Sequence, residues 1–521
     1  MTQTSKLKTD KEVVVSEAKQ PKRFSTIRKY IDIIAAVAFL VFSAGYFFTQ
    51  INADKSWSNS FLIGVLFLSA STDGFMMLIN LFRKPMKYKR LTFNPNKVTI
   101  IIACYNGEKV IGETIEQAMV HVPKEQIIVV SDHSKDNTEA VAGSYGVQVV
   151  RNERNVNKAL SISLAMKYVK TEYVLILDDD THIAKTFIPT NLLGKKENYS
   201  AVAFNVMPEE DGTLVNQLQV FEYRKSMILG KSLRASVGAI SNISGAIGLF
   251  KTKDLQYQAT RHSGQFGGED QQRTMLVHLK AEGRGVAYVD ATVYTEPPKT
   301  WKGLFKQRAK SWNCSVHETL GLCFRIIFST KTHFLLKLER AYELFVFLTD
   351  PLRILYFLTA FLYPVNFVLL YVLYLIVEML GWIKTGRKDP IRVILLSPLY
   401  SVFLKTPARF IASFWWFVIK KDYLKKRLYK YITDRKLLFE YGMTTVVVLL
   451  MWVLAFSQAS SDIAANFEKA KVRSSEVLTQ EIVYIAPTQT KDQYSSVGDE
   501  PLFRQSSDYL KTQQQFLQPQ P

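Results

Sequence analysis

The chain has 521 residues, more than one compact soluble domain usually holds, so two or three folding units are expected. Apolar residues make up 48% and the formal net charge is +20, which excludes a fully disordered chain and a collagen-like one. Three cysteines are too few for a disulfide scaffold and lack zinc-ligand spacing, which indicates a reduced compartment. Many basic residues lie beside apolar stretches, and this pattern favours a membrane surface over a nucleic-acid partner.

The N-terminal part contains two apolar segments. Residues 31–48 and 60–82 are each long enough to cross a hydrocarbon core of about 30 Å. A cleaved signal peptide is the alternative for the first segment, but this segment starts late and lacks a small-residue cleavage site. Because basic residues flank the pair on both outer sides, the positive-inside rule predicts a cytosolic tail at 1–30, a transmembrane hairpin at 31–82 and a cytosolic domain at 90–320.

The C-terminal part is expected to return to the membrane. Residues 341–383 are apolar over a length that suffices for two transmembrane passes. Residues 391–419 carry basic residues and a proline in mid-run, so re-entrant or interfacial helices are expected there. Residues 437–457 predict a last transmembrane helix, and the Gln- and Ser-rich residues 458–521 predict a mostly disordered, non-cytosolic tail.

Strands and helices alternate between these membrane segments. Runs rich in β-branched residues predict strands at 97–104, 126–132, 147–152 and 172–180, and segments with helical periodicity separate them. This alternation predicts a parallel sheet whose ligand site lies at the carboxyl ends of the strands. Acidic residues lie at those ends, so catalysis is expected in this domain.

Three consecutive aspartates, Asp178, Asp179 and Asp180, end the last of these strands. Their carboxylates repel one another unless a cation lies among them, and a hard divalent cation that also contacts substrate phosphates suits such ligands. A solvated acidic turn is the alternative. Asp132 ends a neighbouring strand, which favours the cation site.

A second acidic pair, Glu269 and Asp270, follows two glycines and precedes a helical pattern. An acid at this position could accept the proton of an attacking hydroxyl group. Simple capping of the helix N-terminus is the alternative reading for a lone aspartate.

A set of motifs gives the chain a family resemblance. In chain order they are VTIIIACYNGEKVI, VVSDHSKDNT, NKALSISLA, LILDDDT, ISGAIGLF, GGEDQQRT and FKQRAKSW. With them the chain resembles the inverting family 2 glycosyltransferases of GT-A fold, and among these the membrane-embedded processive synthases of hyaluronan, chitin and cellulose. The implied fold class is an α/β GT-A (nucleotide-diphospho-sugar transferase) domain inserted between the transmembrane helices of a multi-pass membrane protein.

The resemblance implies a role for each matched residue. Asp178 and Asp180 match the pair that holds Mg²⁺ or Mn²⁺ against the donor diphosphate, and Asp270, next to Glu269, matches the general base. Positions implied to bind the donor or the acceptor are Tyr105, Glu108, Asp132, Lys158, Asp179, Ser244, Gly245, Ala246 and Gln307. Asn157 stands where the family has a glycine before the lysine, a departure that concerns the tightness of this loop.

The family's (Q/R)xxRW motif is altered in this chain. An ungapped alignment places Lys310 where the family has the arginine that neutralises the leaving diphosphate, with Arg308 as the competing candidate. Ser311 stands where the family has a tryptophan that stacks on the acceptor sugar, and Trp312 follows one place late. Trp312 either reaches the acceptor after a shift in helix register or anchors an interfacial helix.

The resemblance implies an inverting, metal-dependent hexosyltransferase. It would transfer a sugar from a UDP-sugar, with UDP-GlcNAc as the first donor to test, to a growing β-linked polysaccharide at the plasma membrane. Processive synthesis with coupled export is expected. Non-processive transfer to a membrane lipid is the alternative, and an inactive domain in a transporter or receptor is disfavoured because the three matched aspartates are present. The sequence does not indicate an oligomeric state.

Overall fold

The structure is a computed structural model. It describes residues 88, 90–262, 269–280, 284–309, 316–344, 364–408, 411, 468 and 472. The predicted hairpin at 31–82 and the predicted last helix at 437–457 lie outside the described residues, as do residues 345–363 of the predicted two-pass region. By contacts the chain divides into two units, 1–462 and 463–521, and the elements below belong to the first.

Eight strands and eleven helices carry labels below. The strands are β1 Val98–Cys104, β2 Ile127–Ser131, β3 Gln148–Arg151, β4 Tyr173–Asp178, β5 Thr181–His182, β6 Ala201–Pro208, β7 Ile247–Lys251 and β8 Val286–Thr295. The helices are α1 Ile111–Met119, α2 Thr138–Ser144, α3 Lys158–Ala165, α4 Leu214–Ser226, α5 Arg234–Ser236, α6 Thr252–Ala259, α7 Glu269–Lys280, α8 Trp301–Gln307, α9 Val316–Phe328, α10 Pro364–Lys384 and α11 Ile391–Tyr400. Two π-helices, Met227–Leu233 and Ser401–Lys405, follow α4 and α11 directly.

The strands form one mixed sheet in the order β3-β2-β1-β4-β7-β6-β8-β5. The four strands predicted from the sequence are parallel to one another, as expected. The sheet continues beyond these four strands and is mixed there, because β7 runs antiparallel to both β4 and β6. β7 begins beside the end of β4, since Ile247 pairs with Leu177, and the chain just before it therefore lies at the carboxyl edge of the sheet.

Two apolar layers cover the sheet. β1 is buried at every residue, as expected for a parallel strand covered on both faces. Its alternate side chains enter different layers, so that Ile102 packs with Ile111 of α1 and Ile101 packs with Ile162 of α3. Full burial of one such side chain stabilises the folded state by about 1.5–3 kcal/mol. The two layers therefore hold in place the strand ends that carry the acids.

The helices after the sheet present both buried and exposed apolar faces. One buried cluster joins Phe221 of α4, Leu304 of α8 and Ile394 of α11. On α10, apolar side chains spaced three or four residues apart are exposed along one face; they are Val368, Val372, Ile376, Met379 and Ile383.

Residues 391–408, the described part of the segment 391–419 for which re-entrant or interfacial helices are predicted, form one helical run. Among the described helices, this one is long and apolar enough to cross a membrane by length and composition, and 44% of it is buried within the protein. The run continues through Pro398, and the wider turn of Ser401–Lys405 follows. A π-turn of this kind accommodates a local break in the usual hydrogen-bond pattern.

Candidate active site

Of the three consecutive aspartates, Asp178 is the last residue of β4 and Asp179 and Asp180 follow it. The backbone N–H of Asp178 donates to the carbonyl oxygen of Ala246 at 3.0 Å, and its carboxylate forms an ion pair with Lys158. Asp179, which the resemblance placed at the substrate, instead accepts a hydrogen bond from the Cys104 thiol at 2.8 Å. Its backbone carbonyl accepts from the Thr114 hydroxyl at 2.6 Å. The middle aspartate is therefore engaged with β1 and α1.

Lys158, the first residue of α3, connects three parts of the site. Its amine is paired with Asp178, donates to the carbonyl oxygen of Gly245 at 2.8 Å and lies 3.8 Å from the Glu269 carboxylate. Burial alone would lower the pKa of Lys158, but the carboxylates of Asp178 and Glu269 outweigh it and raise the pKa. The amine therefore stays charged among these acids.

The carboxylates near Lys158, those of Asp178, Asp180 and Glu269, carry more negative charge than this one lysine compensates. Burial, with a further contribution from Asp180, raises the pKa of Asp178 to about 6 against the opposing effect of Lys158. Burial also raises the pKa values of Asp179 and Asp180. An added cation would relieve this repulsion.

The donor set of Asp178 and Asp180 fits a hard divalent cation, because both supply carboxylate oxygens. Within the described part of the chain, no three His, Cys, Asp or Glu side chains are close enough to complete a site made of protein groups alone. Mg²⁺ typically takes only one or two protein carboxylates and completes its shell with water and substrate phosphates. The residues present therefore fit Mg²⁺ or Mn²⁺ held jointly with a diphosphate.

Asp270 lies near Gly245, in the first turn of α7. A Cβ atom built on Gly245 would lie 3.9 Å from the Asp270 carboxylate and 3.5 Å from the Lys158 amine. Burial raises the pKa of Asp270, and neighbouring Glu269 raises it further. Burial would also raise the pKa of Glu269, but Lys158 and Arg273 outweigh it and lower the pKa. The structure thus brings the predicted acids, lysine and small-residue turn together.

Asp132 holds a loop in this structure. Its Oδ1 accepts from Asn152 Nδ2 at 2.9 Å and from the backbone N–H of Val156 at 2.8 Å, and its Oδ2 accepts from the N–H of Asn157 at 2.8 Å. Asn157 has a φ of 73°, a conformation that glycine adopts readily. This backbone requirement explains why the resembled family has glycine at this position. The contribution of Asn152 was not predicted.

Tyr105 and Glu108 lie on the loop after β1, as predicted. The Tyr105 side chain is half exposed. Glu108 accepts hydrogen bonds from the backbone N–H and the side-chain amide of Asn137, at 3.2 and 3.0 Å. Together they form an exposed rim beside the carboxyl ends of β1 and β2.

Arg308 follows α8 and is buried. Its Nη2 donates to Glu222 Oε2 at 2.9 Å, and its Nη1 donates to Gln307 Oε1 at 2.5 Å. Glu222 also accepts from the Tyr400 hydroxyl at 2.7 Å and pairs with Lys405 at 3.0 Å. Burial would raise the pKa of Glu222, but Arg308 and Lys405 hold it well below its usual range. Lys310 and Trp312 lie outside the described residues.

Sequence reasoning missed this cluster around Glu222. Its only indication was a lysine in an apolar run at 391–419, since such a charge needs a buried partner. Tyr223, the next residue, is hydrogen-bonded to Arg308 and lies within electrostatic range of Asp180. Burial raises the pKa of Tyr223 to about 12. The cluster therefore extends from the apolar helix towards the acids of β4.

Comparison with known proteins identifies the domain that carries these acids. Residues 99–254 match the family model for Glycosyl transferase family 2. This part of the chain is a family 2 glycosyltransferase domain. The recognition made from the sequence motifs is confirmed.

Two curated relatives are named poly-β-1,6-N-acetyl-D-glucosamine synthase. The relative from Staphylococcus epidermidis is 28% identical over 249 residues, which cover 45% of this chain and 58% of the relative. The relative from Staphylococcus aureus strain COL is 28% identical over 250 residues, which cover 45% of this chain and 57% of the relative. The match thus spans a little over half the length of these relatives.

Solved structures with a similar fold are more distant. A mannosyltransferase from Pyrobaculum calidifontis, in complex with GDP-Man and Mn²⁺, aligns with a TM-score of 0.43 and 13% identity, over 69% of this chain and 100% of its own. Glucosyl-3-phosphoglycerate synthase from Mycobacterium tuberculosis, with Mn²⁺ and UDP-glucose, aligns with a TM-score of 0.32 and 14% identity, over 44% of this chain and 79% of its own. At these scores the likeness says nothing about the ligands of this chain.

Proposed function

We propose that the chain is an inverting, metal-dependent glycosyltransferase that adds sugars from a UDP-sugar to a growing β-linked polysaccharide. The observation that carries the proposal is the convergence of Asp178, Lys158, Gly245 and Asp270 at one edge of the sheet. A negatively charged corner, a fixed amine, a small-residue turn and a buried carboxyl group are the parts that such a transfer needs.

On the donor side, Asp178 and Asp180 would hold Mg²⁺ or Mn²⁺ against the diphosphate. The bound ion supplies positive charge that stabilises the departing UDP. Tyr105 and Glu108 would border the nucleoside, and Asp132 would keep the loop that ends at Lys158 in place. Because Glu222 already compensates Arg308, we assign to Lys310 the second positive charge near the leaving diphosphate.

On the acceptor side, Asp270 would accept the proton of the attacking hydroxyl group. The hydroxyl oxygen attacks the anomeric carbon from the face opposite UDP, so an α-linked donor gives a β-linked product. A carboxylate whose pKa is raised towards neutrality is a better base for this step than an ordinary aspartate. The small turn of Ser244, Gly245 and Ala246 would leave room for the acceptor sugar, with Gln307 and Trp312 beside it.

The relatives support the polymer and the donor. Both are named as synthases of poly-β-1,6-N-acetyl-D-glucosamine, so UDP-GlcNAc is the donor we propose first. The exposed apolar face of α10 and the apolar run at 391–408 support a multi-pass location in the plasma membrane, with the catalytic domain in the cytosol. Membrane helices packed on α4 and α8 would then lie beside the export path.

The test is UDP release by the purified full-length chain in detergent, across a panel of UDP-sugars with Mn²⁺ or Mg²⁺. Asp270→Asn is run beside it, and Asp290→Asn, an exposed aspartate on β8, is the matched control. We expect sustained release with UDP-GlcNAc and a high-mass product, both lost only in Asp270→Asn. Release that depends on an added lipid would indicate a lipid acceptor instead. Release that persists in Asp270→Asn would contradict the proposed base.

A further inference from the structure

Lys231 is a buried cation that the proposed chemistry does not yet use. It lies in the π-helix Met227–Leu233, has 5% of its surface exposed and donates from its amine to the backbone carbonyl of Asn242. Burial lowers the pKa of Lys231 to about 8, although the charge of Asp270 opposes this effect. A buried amine is costly, so packing alone would favour an apolar residue here. π-Helical turns are frequent at functional sites.

Asn242 connects this lysine to Asp270. Its backbone carbonyl accepts from Lys231, and its side chain is hydrogen-bonded to the Asp270 carboxylate. Because a carboxylate only accepts, the Asn242 amide nitrogen is the donor. The other side-chain atom, Oδ1, is buried and has no hydrogen-bond partner within the described part of the chain. An unpaired, buried acceptor atom therefore lies next to the proposed base, and a buried acceptor left without a donor is unfavourable.

The backbone beside Asn242 is fixed to α7, which carries Asp270. The N–H of Ile243 donates to the Thr274 hydroxyl at 2.8 Å, and that hydroxyl donates to the carbonyl oxygen of Asp270 at 2.8 Å. These bonds set the distance between Asn242 and Asp270 independently of their side chains. The unpaired Oδ1 atom therefore has a defined position relative to the base.

We propose that Asn242 binds a hydroxyl group of the acceptor sugar through its Oδ1 atom, and that Lys231 is a positioning residue that holds Asn242 against Asp270. The proposal rests on the proposed function and names a specificity-determining contact for its acceptor. A sugar hydroxyl donates to Oδ1 while the neighbouring hydroxyl donates to Asp270. The site thus selects acceptors that carry two hydroxyl groups at matching positions.

Charged groups on several elements face this pair. Asp270 is faced by Lys231 of the π-helix and by Glu269 and Arg273 of α7. Lys231 is also faced by Arg234. Replacing Lys231 by an uncharged residue leaves Glu269 and raises the pKa of Asp270. The acid limb of a pH–rate profile should therefore move to higher pH.

The experiment measures transfer by the full-length chain from UDP-GlcNAc, with Mn²⁺, to a β-linked N-acetylglucosamine disaccharide and to its monodeoxy analogues. The variants are Asn242→Leu, Lys231→Met and Lys231→Arg. Ser241→Ala is the neighbouring control, because the Ser241 hydroxyl accepts from Arg234 and not from Lys231. UDP affinity in the presence of Mn²⁺ and the thermal midpoint are measured for each variant as checks on folding.

We expect the wild type to discriminate at least tenfold against one deoxy analogue, and Asn242→Leu to lose this discrimination. In Asn242→Leu the acceptor KM should rise at least tenfold, while the donor KM and UDP affinity stay within twofold. Lys231→Met should lower kcat about tenfold and shift the acid limb upwards, and Lys231→Arg should restore both. Discrimination that survives in Asn242→Leu, or a parallel loss of UDP affinity, overturns this inference alone. A wild type that releases no UDP with any acceptor overturns the proposed function with it.

Discussion

Glu222 and Arg308 form a buried ion pair in which the guanidinium Nη2 donates to the carboxylate at 2.9 Å, across 86 positions of sequence. Only 2% of the Arg308 surface is exposed. Tyr400 and Lys405 bind the same carboxylate from the apolar helical run at 391–408. One carboxylate therefore joins the glycosyltransferase domain, the segment after α8 and this helix.

Replacing Glu222 by glutamine should strongly destabilise the chain, because Arg308 and Lys405 would lose their shared buried counter-charge. Breaking a buried pair from one side typically costs about 3–5 kcal/mol. The thermal midpoint in detergent, followed by tryptophan fluorescence, measures this loss. Glu210→Gln is the control, since Glu210 is exposed and lies 3.6 Å from Arg224. Equal midpoints for the two variants would show that the Glu222 cluster is not stabilising.

Asp179 and Asp180, which follow β4, should differ in their effect on nucleotide binding. Asp180→Asn should weaken Mn²⁺-dependent UDP binding at least tenfold, because one of two carboxylate ligands is lost. Asp179→Asn should change the affinity less than about threefold, because Asp179 is bonded to Cys104. Titration calorimetry with and without Mn²⁺ measures both. An equal loss in the two variants would place Asp179 at the donor.

Replacement by alanine should have different effects at two nearby glycines: it should slow sugar transfer at Gly245 and lower stability at Gly248. At Gly245 the added Cβ meets Lys158 at 3.5 Å and Asp270 at 3.9 Å, which are ordinary contacts. Gly245→Ala should therefore fold normally and bind UDP, yet transfer sugar at least tenfold more slowly because the methyl group occupies the acceptor space.

At Gly248, by contrast, the added Cβ would lie 2.7 Å from the Phe250 ring and 2.8 Å from the Ile243 side chain. Gly248→Ala should lower stability by about 1–3 kcal/mol through overpacking. Thermal midpoints and transfer rates of the two variants test the contrast. A normal transfer rate in Gly245→Ala would place the acceptor elsewhere.

Stability should fall with acidification partly because of His278. Burial lowers the pKa of His278 to about 4, and its Nε2 lies 2.7 Å from the carbonyl oxygen of Ile240. The unfolded chain binds this proton below about pH 6.5, so its contribution to stability is complete above that pH and is lost as the pH falls towards 4. At pH 5 the loss is about 2 kcal/mol.

His278→Gln keeps a donor for Ile240 and should remove the share of this pH dependence that His278 contributes. Thermal midpoints of the wild type and the variant at pH 7 and pH 5 give the difference. Burial also lowers the pKa of His262 to about 4, so the variant should retain a contribution of similar size from that residue. Parallel pH profiles for the two proteins would rule out the assignment to His278.

Asn157 should tolerate glycine better than alanine. Its φ of 73° is strained for a residue with a side chain and open to glycine, so Asn157→Gly should be close to neutral. Asn157→Ala should be about 1–3 kcal/mol less stable than Asn157→Gly, because the alanine Cβ carries the backbone strain that glycine avoids. Thermal unfolding measures both, and a stable alanine variant would argue against the strain.

The first half of the sheet could be predicted because its information is local. β1 to β4 alternate with helices, and the acids that matter stand at strand ends where the parallel arrangement collects them. The pairing of β6 with β8 joins residues about 85 positions apart, and no periodic pattern encodes such a partner choice.

The parts of the site that escaped prediction depend on long-range contacts. A sequence shows Asp132 at the end of a strand but not the loop that its carboxylate holds. It shows Glu222 inside an ordinary helix, while the three groups that bind it come from segments far along the chain. Lys231 likewise looks like one more surface lysine until the π-helix turns it inwards.

The hydrogen bond from Asp178 to Ala246 joins the strand end at which we propose the metal-binding aspartates to the turn that we propose faces the acceptor. A shift of the turn is therefore transmitted to the end of β4 through this hydrogen bond. Substitutions that adapt the turn to a new acceptor would also move the Asp178 carboxylate. Lineages that change their product should therefore carry compensating changes around β4, and directed evolution of acceptor preference should select residues on both sides together.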